Sequence, residues 1–518
     1  MMLKSIITLL SLTWLLNACS NPKEVVSESA SNCPSSPSSY PKFQVKDEGS
    51  FFTKLKTLNI IPSDNTMTFQ TQDYDFIFCD DNQSFITKAG TYRANKTTPK
   101  NYEEAIKKLS DPPYQSIDLQ NQNYQYRVLL DPNPFPDFKV EPKQVILELI
   151  KPEAEQPQRY TLYTLKQVKE QQTGIQLGIP EITGSVIYNE QFYWAVSPEQ
   201  GEGNGGIATI VNYNPEVDKI NIIQPQRLVD QQINDLKISG NSTETIIWLA
   251  TQTSGEGNPY LPGMGLVSYN NKTKLVKAYH ARNSDLVGII PHKLQVKKEQ
   301  LWVATGNGIC QIKWQTIEQS KSWNCWQFSL KADIPMEGLD VYSSLLNTTA
   351  KTTIASDKTT KNIDILWWSP QDYETGKGRY EIVYNPGFSV TLEDKGAVDW
   401  AELYHNKYTP HSWEAIVYWP GKDWVWKGNK FIRPFDGVPL NHFGGGPGGI
   451  STWKMPEKQR SEIYTMRGNL DLIKLTKNST NVKYYSGWVD DSLLQPYLTI
   501  IPAKKPQNAK PNPLKNFK

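Results

Sequence analysis

Three short segments of this 518-residue chain repeat one strand pattern at a fixed interval. Each segment places a tryptophan within an apolar run, and the three tryptophans, Trp194, Trp248 and Trp302, follow one another at intervals of 54 residues. A second marker keeps this interval, because Gly201-Glu202-Gly203-Asn204 returns as Gly255-Glu256-Gly257-Asn258. A repeat of this length is typical of stacked copies of one supersecondary unit. It therefore constrains the fold more than any other feature of the sequence.

The sequence around these repeated segments is typical of short strands. Segments rich in Val, Ile, Tyr and Trp are punctuated by Gly, Pro, Asn and Asp, the residues of turns. They include Gln144–Ile150, Arg159–Leu165, Thr245–Thr251, Gln300–Thr305, Arg379–Tyr384 and Ala415–Trp419. A helical pattern is clear at Tyr102–Leu109. Since each repeat holds about four strands, we predict an all-β fold with a β-propeller of about seven four-stranded blades, six to eight being open, over residues 140–502.

The repeats resemble those of the periplasmic propellers of two-component sensors. In that family a Leu-Trp-Val-Gly-Thr strand leads to a Gly-Leu pair, and this chain has Leu301-Trp302-Val303-Ala304-Thr305 followed by Gly308-Ile309. The resemblance covers about residues 185 to 330 and departs from the pattern where Ala195, Ala250 and Ala304 replace the glycine. It implies a propeller fold. It does not imply a function, because propellers host many unrelated activities.

The two ends of the chain differ in composition from the repeats. The first residues resemble a bacterial lipoprotein signal: Lys4 precedes an apolar run that is too short to span a bilayer and ends in Leu16-Asn17-Ala18-Cys19. The resemblance implies cleavage after residue 18 and acylation of Cys19, including palmitate. Ser20 at the next position favours the outer membrane, with the protein anchored on its periplasmic face.

We expect residues 19–42, rich in Ser and Pro, to form a flexible tether. Residues 503–518, with five lysines and no acid, are predicted to be a disordered basic tail. The whole chain has 55 basic and 53 acidic residues. Without Lys4 and the five tail lysines, 49 basic residues stand against 53 acidic ones. The body is therefore mildly acidic, and a nucleic-acid-binding function is not expected. Residues 43–139 remain as a small α+β cap, an extra blade, or a strand that closes the ring against Tyr497–Ile501.

Four cysteines remain after Cys19 is assigned to the lipid. Their even number fits an oxidising periplasm, and three pairings are open. We favour Cys33 with Cys79 and Cys310 with Cys325, because the latter two flank a short segment predicted to be strand, turn and strand. Closing a loop of that length stabilises a fold by about 3 kcal/mol.

Motifs that carry chemistry are missing from the sequence. No Gly-x-Ser-x-Gly elbow, His-Glu-x-x-His or Cys-x-x-Cys occurs, and the glycine-rich Gly444–Gly449 is not followed by Gly-Lys-Ser/Thr. We therefore predict no catalytic residue, no metal and no cofactor. An axial site with His405, His411 and His442 from different blades is the open alternative.

The repeated glycine-rich segments are the candidate binding residues. Loops at equivalent places in successive blades emerge on one face, so Glu202, Asn204, Glu256 and Asn258 are predicted to form a polar binding rim there. Turn chemistry alone also explains the Gly and Asn. The favoured function is a non-catalytic binding or scaffolding platform in the cell envelope with a protein or glycan partner. A glycan lyase or hydrolase and a surface receptor or adhesin are the alternatives.

Overall fold

A computed structural model describes 19 parts of the chain, and the statements below refer to these parts. They are residues 33, 55–92, 102–135, 138–198, 205–229, 231–240, 244–255, 258–279, 284–288, 290–306, 308–342, 351–354, 362–368, 377–384, 425–427, 430–432, 483–490, 492–494 and 496–503. Cys19, the signal and most of the predicted tether and tail lie outside them. No helix of the described part is long and apolar enough to cross a membrane.

The first two antiparallel sheets come from the region before the tryptophan repeats. Sheet 1 consists of β1 (Asn59–Pro62), β2 (Thr66–Gln70), β3 (Tyr74–Cys79) and β4 (Ser84–Ala89). The predicted helix follows as α1 (Tyr102–Ser110). Sheet 2 consists of β5 (Gln115–Leu119), β6 (Gln122–Asp131), β7 (Gln144–Ile150) and β8 (Gln158–Thr164). The domain boundary that we placed at residue 140 therefore falls inside sheet 2.

A second, short helix, α2 (Leu165–Glu170), follows sheet 2. The sequence pattern did not lead us to expect it. Its start is nevertheless encoded, because Thr164 and Gln167 form a capping box in which each side chain bonds the backbone of the other. Its two buried residues, Leu165 and Val168, pack against sheet 2 and sheet 3.

Sheets 3, 4 and 5 carry the three repeats. Sheet 3 contains β9 (Pro180–Tyr188), β10 (Gln191–Pro198), β11 (Thr209–Asn214) and β12 (Lys219–Ile223). Sheet 4 contains β13 (Gln232–Gly240), β14 (Thr245–Gly255), β15 (Asn258–Asn270) and β16 (Val276–Tyr279). Sheet 5 begins with β17 (Pro291–Lys297), β18 (Gln300–Thr305), β19 (Gly308–Lys313) and β20 (Trp323–Asp333).

Further strands extend sheet 5 beyond β20. They are β21 (Leu339–Tyr342), β22 (Lys351–Ile354), β23 (Asn362–Trp368), β24 (Lys377–Tyr384), β27 (Lys483–Asp490) and β28 (Pro496–Pro502), while β25 (Val425–Lys427) and β26 (Lys430–Ile432) form a separate pair. Strand β28 hydrogen-bonds to β20. Residues 497–501 therefore join sheet 5 and do not form backbone pairs with sheet 1.

The five sheets stack face to face in the order 2, 3, 4, 5, 1. Four apolar clusters fill the four joints between them. Strand β13 lies beside both β9 and β17, so the first strands of sheets 3, 4 and 5 are neighbours on the inner side of the stack. Four-stranded antiparallel sheets stacked in this way are propeller blades, which confirms the predicted all-β propeller fold. Sheet 1, which comes from residues 43–139, shares an apolar cluster with sheet 5 at the end of the stack.

The equivalent positions of the three sheets do not follow the tryptophan spacing, which differs from them by one residue in the first repeat. The second strand of each sheet shifts register against the first strand immediately after an alanine, at Ala195, Ala250 and Ala304. These alanines are therefore the equivalent positions of the three sheets. Trp194 is the residue directly before its alanine, whereas Trp248 and Trp302 lie two residues before theirs. An offset of one residue turns a strand side chain to the other face of the sheet. Trp194 therefore faces sheet 2, whereas Trp248 and Trp302 face the following sheet.

Candidate functional site

The first strands of sheets 3, 4 and 5 share a bulge on the inner side of the stack. Thr183, Asn234 and His292 are the residues skipped in the pairing with the second strand. Bulges locally re-aim side chains and are common beside functional sites. Asn234 Nδ2 donates to the Pro291 carbonyl of the next sheet at 2.9 Å. His292 is 1% exposed. The three bulges thus bring polar side chains of successive blades to one end of the inner strands.

Asp235, next to the second bulge, is a buried carboxylate that joins two blades. Its Oδ1 accepts from the Leu236 N–H at 2.9 Å, and its Oδ2 accepts from the Leu294 N–H in β17 at 2.8 Å. Lys237 Nζ lies 3.2 Å from Oδ1. Since both oxygens are bound to backbone amides, this carboxylate fixes the junction of sheets 4 and 5 and is a poor candidate for acid–base chemistry.

Charged groups surround the third bulge. Burial lowers the pKa of Lys56, Lys293 lowers it further, and Glu181 acts in the opposite direction. Burial also holds the pKa of His292 well below its ordinary value, and the charges of Lys56 and Lys293 act in the same sense. His292 is therefore neutral at physiological pH. This axial cluster of Lys56, Glu181, His292 and Lys293 has more cations than acids.

The predicted rim lies mostly outside the described residues. Strands β14 and β15 pair along their length, and Gly255 pairs with Asn258. Asn258 is the first residue of β15. Glu202, Asn204 and Glu256 lie outside the described residues. Both glycine-rich segments connect the second and third strands of their sheets, which fits loops that emerge on one face. Their role in binding stays a prediction.

A groove between the outer strands of sheets 3 and 4 has a volume of ≈ 740 Å³. Its lining is rich in amides and contains two cations but no carboxylate. The lining residues are Asn212, Asn221, Ile222, Ile223, Gln224, Pro225, Gln226, Arg227, Tyr269, Asn271, Lys274, Leu275 and Val276. We call this cavity the rim groove. Sequence analysis missed it, although residues 219–229 and 271–279 hold five basic residues and no acid.

The cations of the rim groove are held by contacts with its walls. Arg227 Nη1 donates to the Val276 carbonyl at 2.8 Å, which ties the connection after β12 to the edge strand β16. Lys274 Nζ donates to Asn271 Oδ1 at 3.2 Å and lies 5.9 Å from the centre of the Tyr269 ring. Arg227 uses one of its five N–H groups in this bond. The lining of the groove is therefore polar and carries the positive charges of Arg227 and Lys274.

The cysteines divide into a bonded pair and a thiol pair. Cys310 and Cys325 form a disulfide, as predicted, because they lie directly opposite each other on β19 and β20. Cys33 and Cys79 are free thiols, and Cys79 is buried. The predicted second bridge therefore stays a prediction.

The remaining predicted residues give little further information on chemistry. His405, His411 and His442 lie outside the described residues, so their convergence is untested. Within the described ranges, no group of three or more His, Cys, Asp or Glu side chains is placed to hold a metal ion. The bulge residues Thr183, Asn234 and His292 were also missed, because register shifts are not visible in one strand's sequence.

Comparisons with known proteins find structural matches of low similarity. No family model and no curated protein matches the chain. The extracellular domain of a putative hybrid two-component system of B. thetaiotaomicron aligns at 12% identity and a TM-score of 0.24, over 62% of this chain and 38% of that chain. The α-L-arabinanase of Cellvibrio cellulosa aligns at 8% identity and a TM-score of 0.23, over 54% and 92%.

The GH74 enzyme of Niastella koreensis aligns at 11% identity and a TM-score of 0.25, over 66% of this chain and 60% of the enzyme. The chain thus spans less than two thirds of the length of this enzyme and of the sensor domain. Similarity at this level does not transfer an activity or a ligand to this chain.

Proposed function

We propose that this protein is a lipid-anchored β-propeller of a bacterial envelope that binds a carboxylate-bearing oligosaccharide in the rim groove without transforming it. The observation that carries the proposal is the lining of this groove, which combines amide side chains with Arg227 and Lys274 and contains no acidic residue. Amides both donate and accept hydrogen bonds, which suits sugar hydroxyls, and the guanidinium suits a carboxylate. A rigid stack of sheets supports such a surface at low entropic cost.

The positive charge of the groove favours an acidic ligand over a neutral one. Because the groove presents Arg227 and Lys274 without a neighbouring acid in its lining, a neutral sugar leaves both cations without a ligand partner. A carboxylate of the ligand supplies that partner. Exposed apolar atoms of Leu275, which is 51% exposed, and Ile222, which is 39% exposed, are placed to cover the apolar face of a sugar ring.

Calorimetric titration of the full mature chain with tetragalacturonate tests this proposal. We expect binding that weakens with added salt, and at least tenfold weaker binding in the double variant Arg227→Gln/Lys274→Gln. Lys313→Gln is the matched control, because Lys313 is exposed on sheet 5 and lies outside the groove. Equal affinity for neutral cellotetraose, or stronger binding of hexaglutamate than of the sugar, contradicts a site for acidic oligosaccharides.

A glycan lyase or hydrolase with an axial site is the second candidate function. The observation in its favour is the axial cluster, in which Glu181 and the neutral His292 lie on the two inner strands that flank β13, and Lys56 precedes β1. If this cluster is catalytic, Glu181→Gln abolishes the depolymerisation of envelope polysaccharide and leaves binding in the rim groove unchanged. Absence of any product after long incubation with the unmodified protein counts against the enzyme.

The anchor is the third part of the proposal. The lipobox-like Leu16–Cys19 supports acylation of Cys19 and attachment to the periplasmic face of the outer membrane. Mass spectrometry of the N-terminal peptide measures the acyl chains directly, and Cys19→Ser is expected to release the protein from membranes. Digestion of the protein by protease added to intact cells favours the surface receptor or adhesin instead.

A further inference from the structure

The rim groove has two walls that differ in their hydrogen-bonding groups. The sheet 3 wall carries Asn212, Asn221 and Gln224, and the sheet 4 wall carries Asn271 and Lys274. An amide side chain ends in one acceptor and one donor group, so its contacts within the protein decide which of the two is left for a ligand.

A chain of amides supports the sheet 3 wall. Asn221, which is exposed, donates through Nδ2 to Asn212 Oδ1 at 3.2 Å. Asn212, which is buried, donates through its own Nδ2 to Gln191 Oε1 at 2.9 Å and to the Phe192 carbonyl at 3.4 Å. The exposed amide is thus held from behind by a buried one.

A backbone carbonyl sets the direction of this chain. The Phe192 carbonyl can only accept a hydrogen bond, so the Asn212 atom that faces it is the nitrogen. Asn212 therefore turns its oxygen to Asn221, and Asn221 bonds it through nitrogen. As a result, Asn221 offers its Oδ1, an acceptor, to the groove.

Gln224 is held in the same way. Its Nε2 donates to the Leu162 carbonyl of sheet 2 at 3.1 Å and to Thr209 Oγ1 at 2.9 Å. The Thr209 hydroxyl gives its own hydrogen to the Ile207 carbonyl at 2.8 Å, so it accepts from Gln224. Both hydrogens of the Gln224 amide are used within the protein, and its Oε1 is left for a ligand.

The sheet 4 wall has the opposite polarity. Lys274 Nζ donates to Asn271 Oδ1 at 3.2 Å, and because an ammonium group cannot accept, the oxygen is the Asn271 atom turned to it. Asn271 is left with its Nδ2, a donor. Arg227 is tied to this wall through the Val276 carbonyl and adds its other N–H groups. This wall therefore presents donors and positive charge.

We propose that the rim groove binds the two edges of a sugar ring differently, with ring hydroxyls against the sheet 3 wall and the carboxylate against the sheet 4 wall. Asn221 and Gln224 accept from the hydroxyls. Arg227 and Asn271 donate to the carboxylate. Asn212 is a positioning residue, because it sets which atom of Asn221 faces the ligand.

This inference rests on the proposed function, since it assigns the hydrogen bonds by which the same groove holds its ligand. The carboxylate of a hexuronate and its free ring hydroxyls lie on opposite edges of the ring, so one sugar can contact both walls. A polyanion without hydroxyls can contact only the sheet 4 wall.

Calorimetric titration of the full mature chain with tetragalacturonate at several salt concentrations separates the two walls. Arg227→Gln is expected to weaken binding and to flatten its dependence on salt, because a contact between charges is lost. Asn221→Ala is expected to weaken binding by about three- to tenfold and to leave the salt dependence unchanged. Asn123→Ala is the matched control, because Asn123 is an exposed strand residue of sheet 2 and lies outside the groove.

A double-variant cycle tests the positioning role. Asn212→Ala is expected to weaken binding by about threefold at every salt concentration. Asn212→Ala/Asn221→Ala is expected to bind as tightly as Asn221→Ala alone, because the buried amide acts through the exposed one. Additive losses overturn the positioning role. Thermal unfolding without ligand measures the effect of each variant on the fold, and Asn221→Ala keeps the wall testable if Asn212→Ala does not fold.

Two kinds of failure are distinguishable in these titrations. Unchanged affinity in Asn221→Ala, or a flattened salt dependence in this variant, overturns the assignment of the hydroxyls to the sheet 3 wall. Absence of tetragalacturonate binding by the unmodified protein instead contradicts the proposed function itself.

Discussion

The two faces of sheet 2 are stabilised in opposite ways. The face toward sheet 3 is apolar and aromatic: Tyr126 lies 4.9 Å from Trp194, and Tyr124 lies 4.7 Å from Phe192, between ring centres. Phe192 and Trp194 are stacked, with an interplanar angle of 5°. No hydrogen-bond partner for Trp194 Nε1 is found in the described part of the chain, so this tryptophan contributes through packing.

The opposite face of sheet 2 carries a charged ladder. Arg127, Glu148 and Arg159 lie directly opposite one another on β6, β7 and β8. Arg127 Nε donates to Glu148 Oε2 at 2.6 Å, and Arg159 Nε donates to Oε1 at 2.9 Å. The Tyr114 hydroxyl donates to Oε2 at 2.7 Å. Glu148 is thus a buried carboxylate with three donors.

The two faces of sheet 2 therefore impose different requirements on the fold. The apolar face requires matching volumes, because buried rings lose contacts when a neighbour is removed. The charged face requires the strand register, because a one-residue slip would separate Glu148 from both arginines. Alternation of side chains along β6 and β7 encodes both faces at once.

The largest expected effect is on the apolar face. Trp194→Ala leaves a cavity between sheets 2 and 3, and we expect it to lower the free energy of unfolding by about 3 to 5 kcal/mol. Denaturant unfolding followed by circular dichroism measures the loss. Ile175→Ala is the control, since Ile175 is 84% exposed and its truncation should cost little. A loss below about 1 kcal/mol in Trp194→Ala would show that this joint does not depend on packing.

A smaller effect is expected on the charged face. Glu148→Gln keeps the volume but removes the charge, and we expect a loss of about 2 to 3 kcal/mol at pH 7. This is less than for a fully buried pair, because Arg159 is 55% exposed and Arg127 keeps its ion pair with Asp111. Denaturant unfolding at several pH values measures this loss.

The loss at Glu148 should also depend on pH. Burial raises the pKa of Glu148, but the hydrogen bonds from Tyr114, Arg127 and Arg159 outweigh this effect, and the net pKa is lowered. The carboxylate therefore stabilises the fold above the unfolded-state pKa of about 4.3, and this contribution disappears as the pH falls through the lower folded-state pKa. Glu155→Gln, at an exposed position, should show no such trend. A difference between Glu148→Gln and the unmodified protein that stays constant down to pH 3 contradicts the assignment.

The smallest effect is expected at the exposed edge of the joint between sheets 2 and 3. Lys151 pairs with Asp218 across this joint, and the Asp218 side chain is 54% exposed. Lys151→Met should therefore change the free energy of unfolding by about 0.5 kcal/mol or less. The change should shrink further in 0.5 M salt. A salt-independent loss above about 1 kcal/mol would show that this edge, and not only the rings, fixes the blades.

Much of the fold was predictable because blades are built from local patterns. The strands Gln144–Ile150 and Gln300–Thr305 have the predicted bounds, and the predicted helix extends by one residue to Ser110. The tryptophan interval located the repeats but misaligned the first by one residue, because the register shift after Ala195 depends on the neighbouring strand. We did not predict α2 from the sequence, although Thr164 and Gln167 have the Thr-x-x-Gln spacing of a capping box.

The candidate site was less predictable than the fold. The glycine-rich segments predict a polar rim on one face, which stays a prediction. The rim groove is lined by other residues and needs Arg227 and Val276 from two different sheets in contact. Their meeting depends on how sheets 3 and 4 stack. The bulges at Thr183, Asn234 and His292 depend equally on strand pairing, which single-strand patterns do not contain.

The sequence by itself determined the repeated strands and the pairing of Cys310 with Cys325, because hydrophobic alternation and a short separation act locally. Only the tertiary structure decided that sheet 1, first in the chain, packs on sheet 5: Phe78 lies 4.8 Å from Trp302 and 5.0 Å from Trp326. It alone also lined the rim groove. Contacts between distant segments depend on which faces remain to be buried once every sheet has formed, and that is a property of the whole chain.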